Sequence, residues 1–410
     1  MALILVAISV FDEATPFPSL YALVPTVGAA LLILFADPKT VVGRVLASRP
    51  LVGIGLISYS AYLWHQPIFA FARYRSAEEP GDVTMLLLSA SAFLLAWTTW
   101  RFVELPFRRK DLISRKTLIA AAVGTGTVLL SFCFIGYAGN GFNDIRLSPG
   151  QKEIMKTVAI SPRRDHCHQR EPEKPEEACA YFSAQPTWAV VGNSHAVELA
   201  NQLAENLRDT GDGIKHLTIT ACSPTYGRGE SAKTSCGRWT EDVMDYLLGE
   251  ERLATIVVSY RTNSLAPADE SDRETAVTEA ARAEAADSYF AMVHRLADAG
   301  KKVVLVLQAP DLERHIEYYV GTVGGDDRAD FVAGIDRKDW DRRIAPIRQR
   351  LSELPRNVVV VDPAELFCNP SSCAAIKDGK ALYYDDDHMS LAGADLVAKE
   401  ILRRVRPILA

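Results

Sequence analysis

Two short motifs near opposite ends of the C-terminal half carry side chains suited to acyl chemistry. The first is Val190-Val191-Gly192-Asn193-Ser194-His195. A Ser placed where a buried strand turns into a helix projects its hydroxyl at the open edge of a sheet. The start of that helix offers unpaired N–H groups to a developing oxyanion, and Gly192 permits the tight turn. Taken alone, the junction reads as a helix N-cap, for which Ser and Asn are both favoured. The second motif is Tyr383-Tyr384-Asp385-Asp386-Asp387-His388-Met389-Ser390. Asp385 precedes His388 by three positions, so its carboxylate can fold back onto one imidazole nitrogen. The other nitrogen is then left as a general base for a hydroxyl. Asp386 and Asp387 are expected to point away. The rival readings are an acidic cap on the last helix and a weak cation site. A calcium loop needs more oxygen donors at fixed spacing, and no metal site is expected.

The elements that would bring these motifs together follow from hydrophobic patterning. Short Val/Ile-rich runs at 188–191, 216–220, 255–259, 302–307 and 358–361 alternate with helical stretches near 196–208, 240–251, 272–299, 338–353 and 392–405. Such alternation predicts an α/β/α sandwich with about five parallel strands, the first of them central. Loops at the carboxyl ends of the strands then share one rim, where ligands bind, and Ser194 can meet Asp385 and His388 there. The proline-bearing segment 141–187 reads as a linker tied down by one disulfide.

With both ends in place, the chain resembles the SGNH hydrolase superfamily. Gly192-Asn193-Ser194-His195 stands where the family usually has Gly-Asp-Ser, often followed by His, and Asp385–His388 matches its closing Asp-x-x-His. The resemblance implies a Ser194–His388–Asp385 triad. It also implies oxyanion-hole donors from a Gly and an Asn, for which Gly227, Arg261 and Asn263 are the candidates. Loop chemistry is the competing explanation for these three.

The chain has 410 residues, and its charge is divided unevenly. Residues 1–140 carry a net +3, and residues 141–410 a net −9. An acidic folded part argues against nucleic acid as partner. Apolar stretches at 1–11, 20–36, 51–72, 83–103 and 117–138 suggest five membrane passages, of which the last three reach the roughly 20 residues a spanning helix needs. Met1 opens directly into an apolar run without a basic leader, so the chain is expected to start within a helix rather than in a signal peptide. Lys39, Arg44 and Arg49, and then Arg108, Arg109, Lys110, Arg115 and Lys116, fall in alternate loops. That pattern puts those loops in the cytoplasm and everything beyond about residue 140 on the far side. Six of the seven cysteines lie in the exported part. They form the local pairs Cys167 with Cys179, Cys222 with Cys236, and Cys368 with Cys373, as an oxidising compartment favours. A zinc site is the rival, without the usual C-x2-C spacing. Cys133 reads as a packed thiol in the fifth stretch.

The apolar third resembles the acyltransferase-3 family in two places: Leu56-Ile57-Ser58-Tyr59-Ser60-Ala61-Tyr62-Leu63-Trp64-His65-Gln66-Pro67, and Trp100-Arg101-Phe102-Val103-Glu104-Leu105-Pro106-Phe107-Arg108. The domain layout expected is then 1–110 for the C-terminal part of the acyltransferase-3 membrane domain, 111–140 for a linking helix, 141–187 for a periplasmic linker and 188–410 for the SGNH-like domain. The early helices of that family, with its catalytic His, are missing from this sequence. His65 and the Glu104/Arg101/Arg108 group read as structural. The combined resemblance implies a multi-pass protein of the bacterial inner membrane that O-acylates, chiefly O-acetylates, an envelope polysaccharide, lipopolysaccharide or peptidoglycan. Its partners would be the lipid bilayer, a glycan acceptor and the missing helices. No bound cofactor is expected, and the acyl donor would be acyl-CoA. The alternatives are a membrane-anchored carbohydrate or lipid esterase with the same triad, and an inactive fragment.

Overall fold

The computed structural model describes residues 1–12, 15–16, 19–75, 80–109, 113–227, 234–262, 279–324 and 329–405. The chain divides into two compact units, Met1–Tyr137 and Ala138–Ala410.

The first unit is helical. Among the described residues, two helices are long and apolar enough to cross a membrane, Asp82–Arg108 and Arg115–Ala138. Of the five passages expected from the sequence, the last two meet that length and composition among the described residues. The stretch 1–11 forms only the nine-residue helix Ala2–Val10, and 20–36 centres on the thirteen-residue helix Leu23–Phe35. The stretch 51–72 lies within the helix Arg49–Arg75, whose Ser58, Ser60, His65 and Gln66 dilute its hydropathy. His65 Nδ1 donates to the Tyr62 carbonyl at 2.7 Å and packs edge-on to Phe69. Glu104 accepts from Ser60 Oγ at 2.5 Å and pairs with Arg108 at 3.1 Å, whereas Arg101 lies over the Phe102 ring.

The second unit is a three-layer α/β/α fold. Its main sheet has six strands in the order β1-β3-β2-β4-β5-β7. These are β1 Ala180–Tyr181, β2 Trp188–Gly192, β3 Ile214–Thr218, β4 Thr255–Ser259, β5 Lys302–Val306 and β7 Val358–Val361. Five of them are parallel, and β1 adds to β3 antiparallel. The five parallel strands expected are present, and β1 makes the whole a mixed sheet of six. The two-residue β1 is too short to leave a pattern in the sequence.

Period-two alternation decides what each strand residue meets. Val190, Val257, Val304 and Val306 face the layer of the Val197–Leu207 and Leu391–Val405 helices. Val191, Ile256, Val258, Val303 and Leu305 face the layer of the Ser235–Gly249, Glu279–Asp298 and Arg337–Arg350 helices. Both faces are covered, which is why the strands read as continuous apolar runs. From β2 the chain turns to β3 on one side, then crosses to β4 on the other. The crevice at their carboxyl ends is a topological switch point.

A second, antiparallel sheet pairs β6 Phe331–Asp336 with β8 Ser372–Lys377 and β9 Lys380–Ala381. The segment 141–187, read from sequence as a linker, is instead built into the fold. It contributes β1, the capped helix Pro149–Met155 and the buried side chains Ile154 and Tyr181. All three cysteine pairs are disulfide-bonded as their spacing suggested, and Cys133 is a free, exposed thiol rather than a packed one.

Candidate active site

Ser194 begins the single turn Ser194–Ala196 directly after β2. The turn is fixed by Asn193. Its side-chain oxygen accepts from the N–H of His195 at 3.2 Å and of Arg261 at 3.3 Å, and its amide nitrogen donates to the Cys222 carbonyl at 3.4 Å. An Asp could supply the acceptor but not the donor, so the Asn ties β2 to β4 and to the disulfide loop at once. Gly192 is required by close approach. A Cβ there would lie 1.9 Å from the Ser259 carbonyl oxygen.

The acidic loop is folded onto Ser194 from the far end of the chain. β9 leads into it, Tyr383 and Met389 bridge across it, and Tyr384 N–H donates to the His388 carbonyl at 3.1 Å. From outside, Leu312 N–H donates to the Asp386 carbonyl at 2.7 Å and Ile316 N–H to that of Asp385 at 3.1 Å. His388 Nε2 comes to 2.8 Å from Ser194 Oγ, and His388 Nδ1 to 2.8 Å from Asp385 Oδ2. Asp385 Oδ1 also accepts the main-chain N–H of Asp387 and of His388. Asp386 is exposed.

Asp387 departs from expectation. It turns inward, with Oδ1 at 2.7 Å from His388 Nδ1 and Oδ2 at 3.0 Å from Arg261 and 3.6 Å from His195 Nε2. The reason is tertiary: Arg261 enters from the end of β4 and gives the enclosed carboxylate a half-exposed cationic partner. His195 stacks on His388 at 4.2 Å between ring centroids, and Tyr384 stacks on it at 5.4 Å.

Charge in the site follows from burial and these contacts. Burial alone would lower the His388 pKa, but the two carboxylates overcome it and raise it to about 9. Burial opposes ionisation of Asp387, yet His388, His195 and Arg261 bring it to about 2; Asp385 is lowered against burial by His388 and by the main-chain N–H groups of His388 and Asp387. Burial, with the neighbouring His388, takes His195 down to about 3. Burial pushes Asp311, hydrogen-bonded to Gln308, up to about 7.

The ligand atoms of His195, Asp387 and His388 lie within 4.8 Å of one another. Arg261 already engages the outer carboxylate oxygen of Asp387 at 3.0 Å.

Of the oxyanion-hole candidates, Arg261 borders the site through its side chain, with its N–H given to Asn193. The Gly227 N–H is given to Glu241 at 3.1 Å. Asn263 lies outside the described residues. Sequence reasoning missed the Arg164–Glu198 pair beneath Ser194. Arg164 donates twice to the buried Glu198 carboxylate, at 2.9 and 2.7 Å, and once to the Ser194 carbonyl at 2.9 Å. An acidic residue on the apolar face of the Val197–Leu207 helix was the available signal.

Comparison with known proteins agrees with this geometry in the C-terminal unit. A family model described as an SGNH domain fused to AT3 domains matches residues 166–403. The chain is 34% identical over 82 residues to the O-acetyltransferase OatA of Staphylococcus aureus, which is 20% of this chain and 13% of that protein. It is 28% identical over 92 residues to the peptidoglycan O-acetyltransferase OatA of Listeria monocytogenes, 22% of this chain and 15% of that one. It therefore spans only a small part of the curated relatives it matches. Among solved structures, the periplasmic domain of a lipopolysaccharide acetyltransferase from Salmonella ser. Paratyphi A matches with a TM-score of 0.44 and 12% identity, over 63% of this chain and 97% of that one. With its family match covering more than half of its length, the chain belongs to the SGNH domain family found fused to AT3 domains.

Proposed function

We propose that the chain is the C-terminal part of a membrane O-acyltransferase that esterifies, chiefly acetylates, hydroxyl groups of a cell-envelope glycan. The observation that carries this is the unbroken contact from Asp385 through His388 to Ser194. In the forward half-reaction His388 Nε2 takes the Ser194 proton as Oγ attacks the donor carbonyl. The leaving group departs with that proton, and an acyl-Ser194 ester remains. A glycan hydroxyl then repeats the cycle, giving its proton to His388 and releasing Ser194. Asp385 holds the imidazole in the tautomer with a free Nε2 and stabilises the imidazolium. The Ser194 N–H, at the first position of its turn, would be a main-chain donor for the oxyanion.

The two apolar helices and three disulfides support a membrane protein with this unit in an oxidising, extracytoplasmic compartment. In this reading the Met1–Tyr137 unit is the late part of a multi-pass AT3 domain, completed by further helices. Those helices pass the acyl group from acyl-CoA across the bilayer. Water in place of the glycan would make the same triad an esterase.

The test is acyl transfer by the complete membrane protein to envelope glycan, with ester products measured by mass spectrometry. Ser194→Ala and His388→Ala should each lower transfer about 10⁴-fold or more, and Asp386→Ala should stay close to wild type. Full transfer by Ser194→Ala would refute the reading. Acyl-Ser194 that yields only free acid, with any glycan offered, would move the function to the esterase.

A further inference from the structure

Asp387 is a group for which a two-carboxylate, one-imidazole arrangement has no obvious need, since Asp385 already makes the aligned hydrogen bond to His388 Nδ1. Yet its side chain is only 11% exposed and reaches three charged or titratable partners, two of them on other elements. We propose that Asp387 is a second positioning carboxylate for His388, and that Arg261 acts as its latch, setting how strongly it holds the imidazolium. The inference rests on the triad reading above.

Three observations carry it. First, Asp385 and Asp387 approach the same ring nitrogen, at 2.8 and 2.7 Å, from the same loop. One N–H can be shared between them, and either can fix the tautomer if the other is lost. Second, Arg261 binds the far oxygen of Asp387 at 3.0 Å. A cation there withdraws negative charge from the ring, so the ion pair opposes the effect of Asp387 on His388. Third, Arg261 is half-exposed, so its side chain can be exchanged without opening the core, whereas Asp387 is enclosed.

The groups that face His388 are Asp385, Asp387 and Tyr384 from its own loop and His195 from the turn after β2. Arg261 follows β4 and Asp311 follows β5, both acting on Asp387. Arg164, Glu198 and His168 stand behind Tyr384 and the ring. Among the described residues, Asp385 and Asp387 alone bring a carboxylate oxygen to Nδ1 itself, so their removal must lower the basicity of the ring. Removal of Arg261 must raise it.

The experiment is the pH dependence of p-nitrophenyl acetate turnover by the full chain in detergent, for wild type, Asp387→Asn, Asp387→Glu, Arg261→Gln and Ser194→Ala. In wild type the rate should climb with pH to a limb near 9. Asp387→Asn should move that limb down by about one to three pH units, and Asp387→Glu should restore it. Arg261→Gln should move it up. Asp385→Asn combined with Asp387→Asn should lose more than the product of the two single losses. A limb that stays in place or rises in Asp387→Asn overturns the proposal while an inactive Ser194→Ala leaves the triad standing. Turnover retained by Ser194→Ala brings down both. If Asp387→Asn does not fold, Arg261→Gln decides alone: an upward limb supports the latch, and an unmoved or lower one overturns it.

Discussion

Arg164 Nη2 donates to the main-chain carbonyl of Ser194 at 2.9 Å while the same guanidinium is bound edge-on to Glu198. The residue bearing the proposed nucleophile is thus held from below by a segment that precedes the whole parallel sheet. The Arg164 side chain is 16% exposed and that of Glu198 1% exposed, so the carboxylate is sealed from water behind a mostly buried guanidinium. Arg164→Ala would leave the Glu198 carboxylate buried without its partner. The expected cost is about 3–5 kcal/mol of unfolding free energy, read from denaturant midpoints. Arg164→Lys should recover less than half of it, because an ammonium cannot make the two-point contact. Wild-type stability in Arg164→Ala would show that the pair is idle.

Gly192 is the second fixed point. With the Ser259 carbonyl 1.9 Å and the Ala196 Cβ 2.7 Å from where a Cβ would sit, β2 and β4 must part to admit even a methyl group. Gly192→Ala should cost about 1–3 kcal/mol and displace Ser194 from His388. A fluorophosphonate probe should then label Ser194 at least about tenfold more slowly, since small misplacements of reacting groups are expensive. Unchanged labelling would mean the turn can relax without moving the hydroxyl.

Acid should unfold this unit early. Burial holds His168 at about 4, His195 at about 3 and His216 at about 3, each below the ordinary value of 6.5. His216 is locked between Tyr181 and Thr218, and His168 between Thr218 and Thr220. Because the folded pKa values lie below the unfolded ones, the unfolded chain takes up protons first. Stability is complete above about 6.5 and falls as pH drops toward 4 and then 3, by about 4 kcal/mol per pH unit if all three contribute. His388 works in the opposite sense. Raised to about 9, its contribution is full below 6.5 and is lost as pH rises through 9. Denaturant midpoints between pH 4 and 10 should therefore decline on both sides of neutrality. A flat profile from pH 6.5 to 4 would contradict the buried neutral histidines.

The cysteines give a count that can be checked directly. Denatured without reductant, the protein should take one thiol tag, at Cys133, and after reduction seven. Replacing Cys167 and Cys179 together by Ser opens a loop of sequence separation 12 and should cost about 2–4 kcal/mol. Several free thiols before reduction would place the unit in a reducing compartment.

The sequence by itself determined the parts whose signal is local. Apolar runs of β-branched residues marked β2, β4, β5 and β7, because strands covered on both faces need no polar alternation. The Ser194 junction and the Asp385–His388 spacing were legible for the same reason: each depends on backbone geometry within a few residues. Cysteine spacing gave the three disulfides. What the tertiary structure decided is what crosses long separations or rests on very short elements. The two-residue strands β1 and β9 have no room for a pattern, and the helix-bearing stretch before β1 looked like a linker from its prolines. Asp387 was expected to point away by local spacing, and Arg261, arriving at the end of β4, turned it inward. Arg164 and Glu198 could be matched only once the Val197–Leu207 helix had a buried face for the carboxylate. A charge inside a core needs a partner, and the fold alone settles which distant residue supplies it.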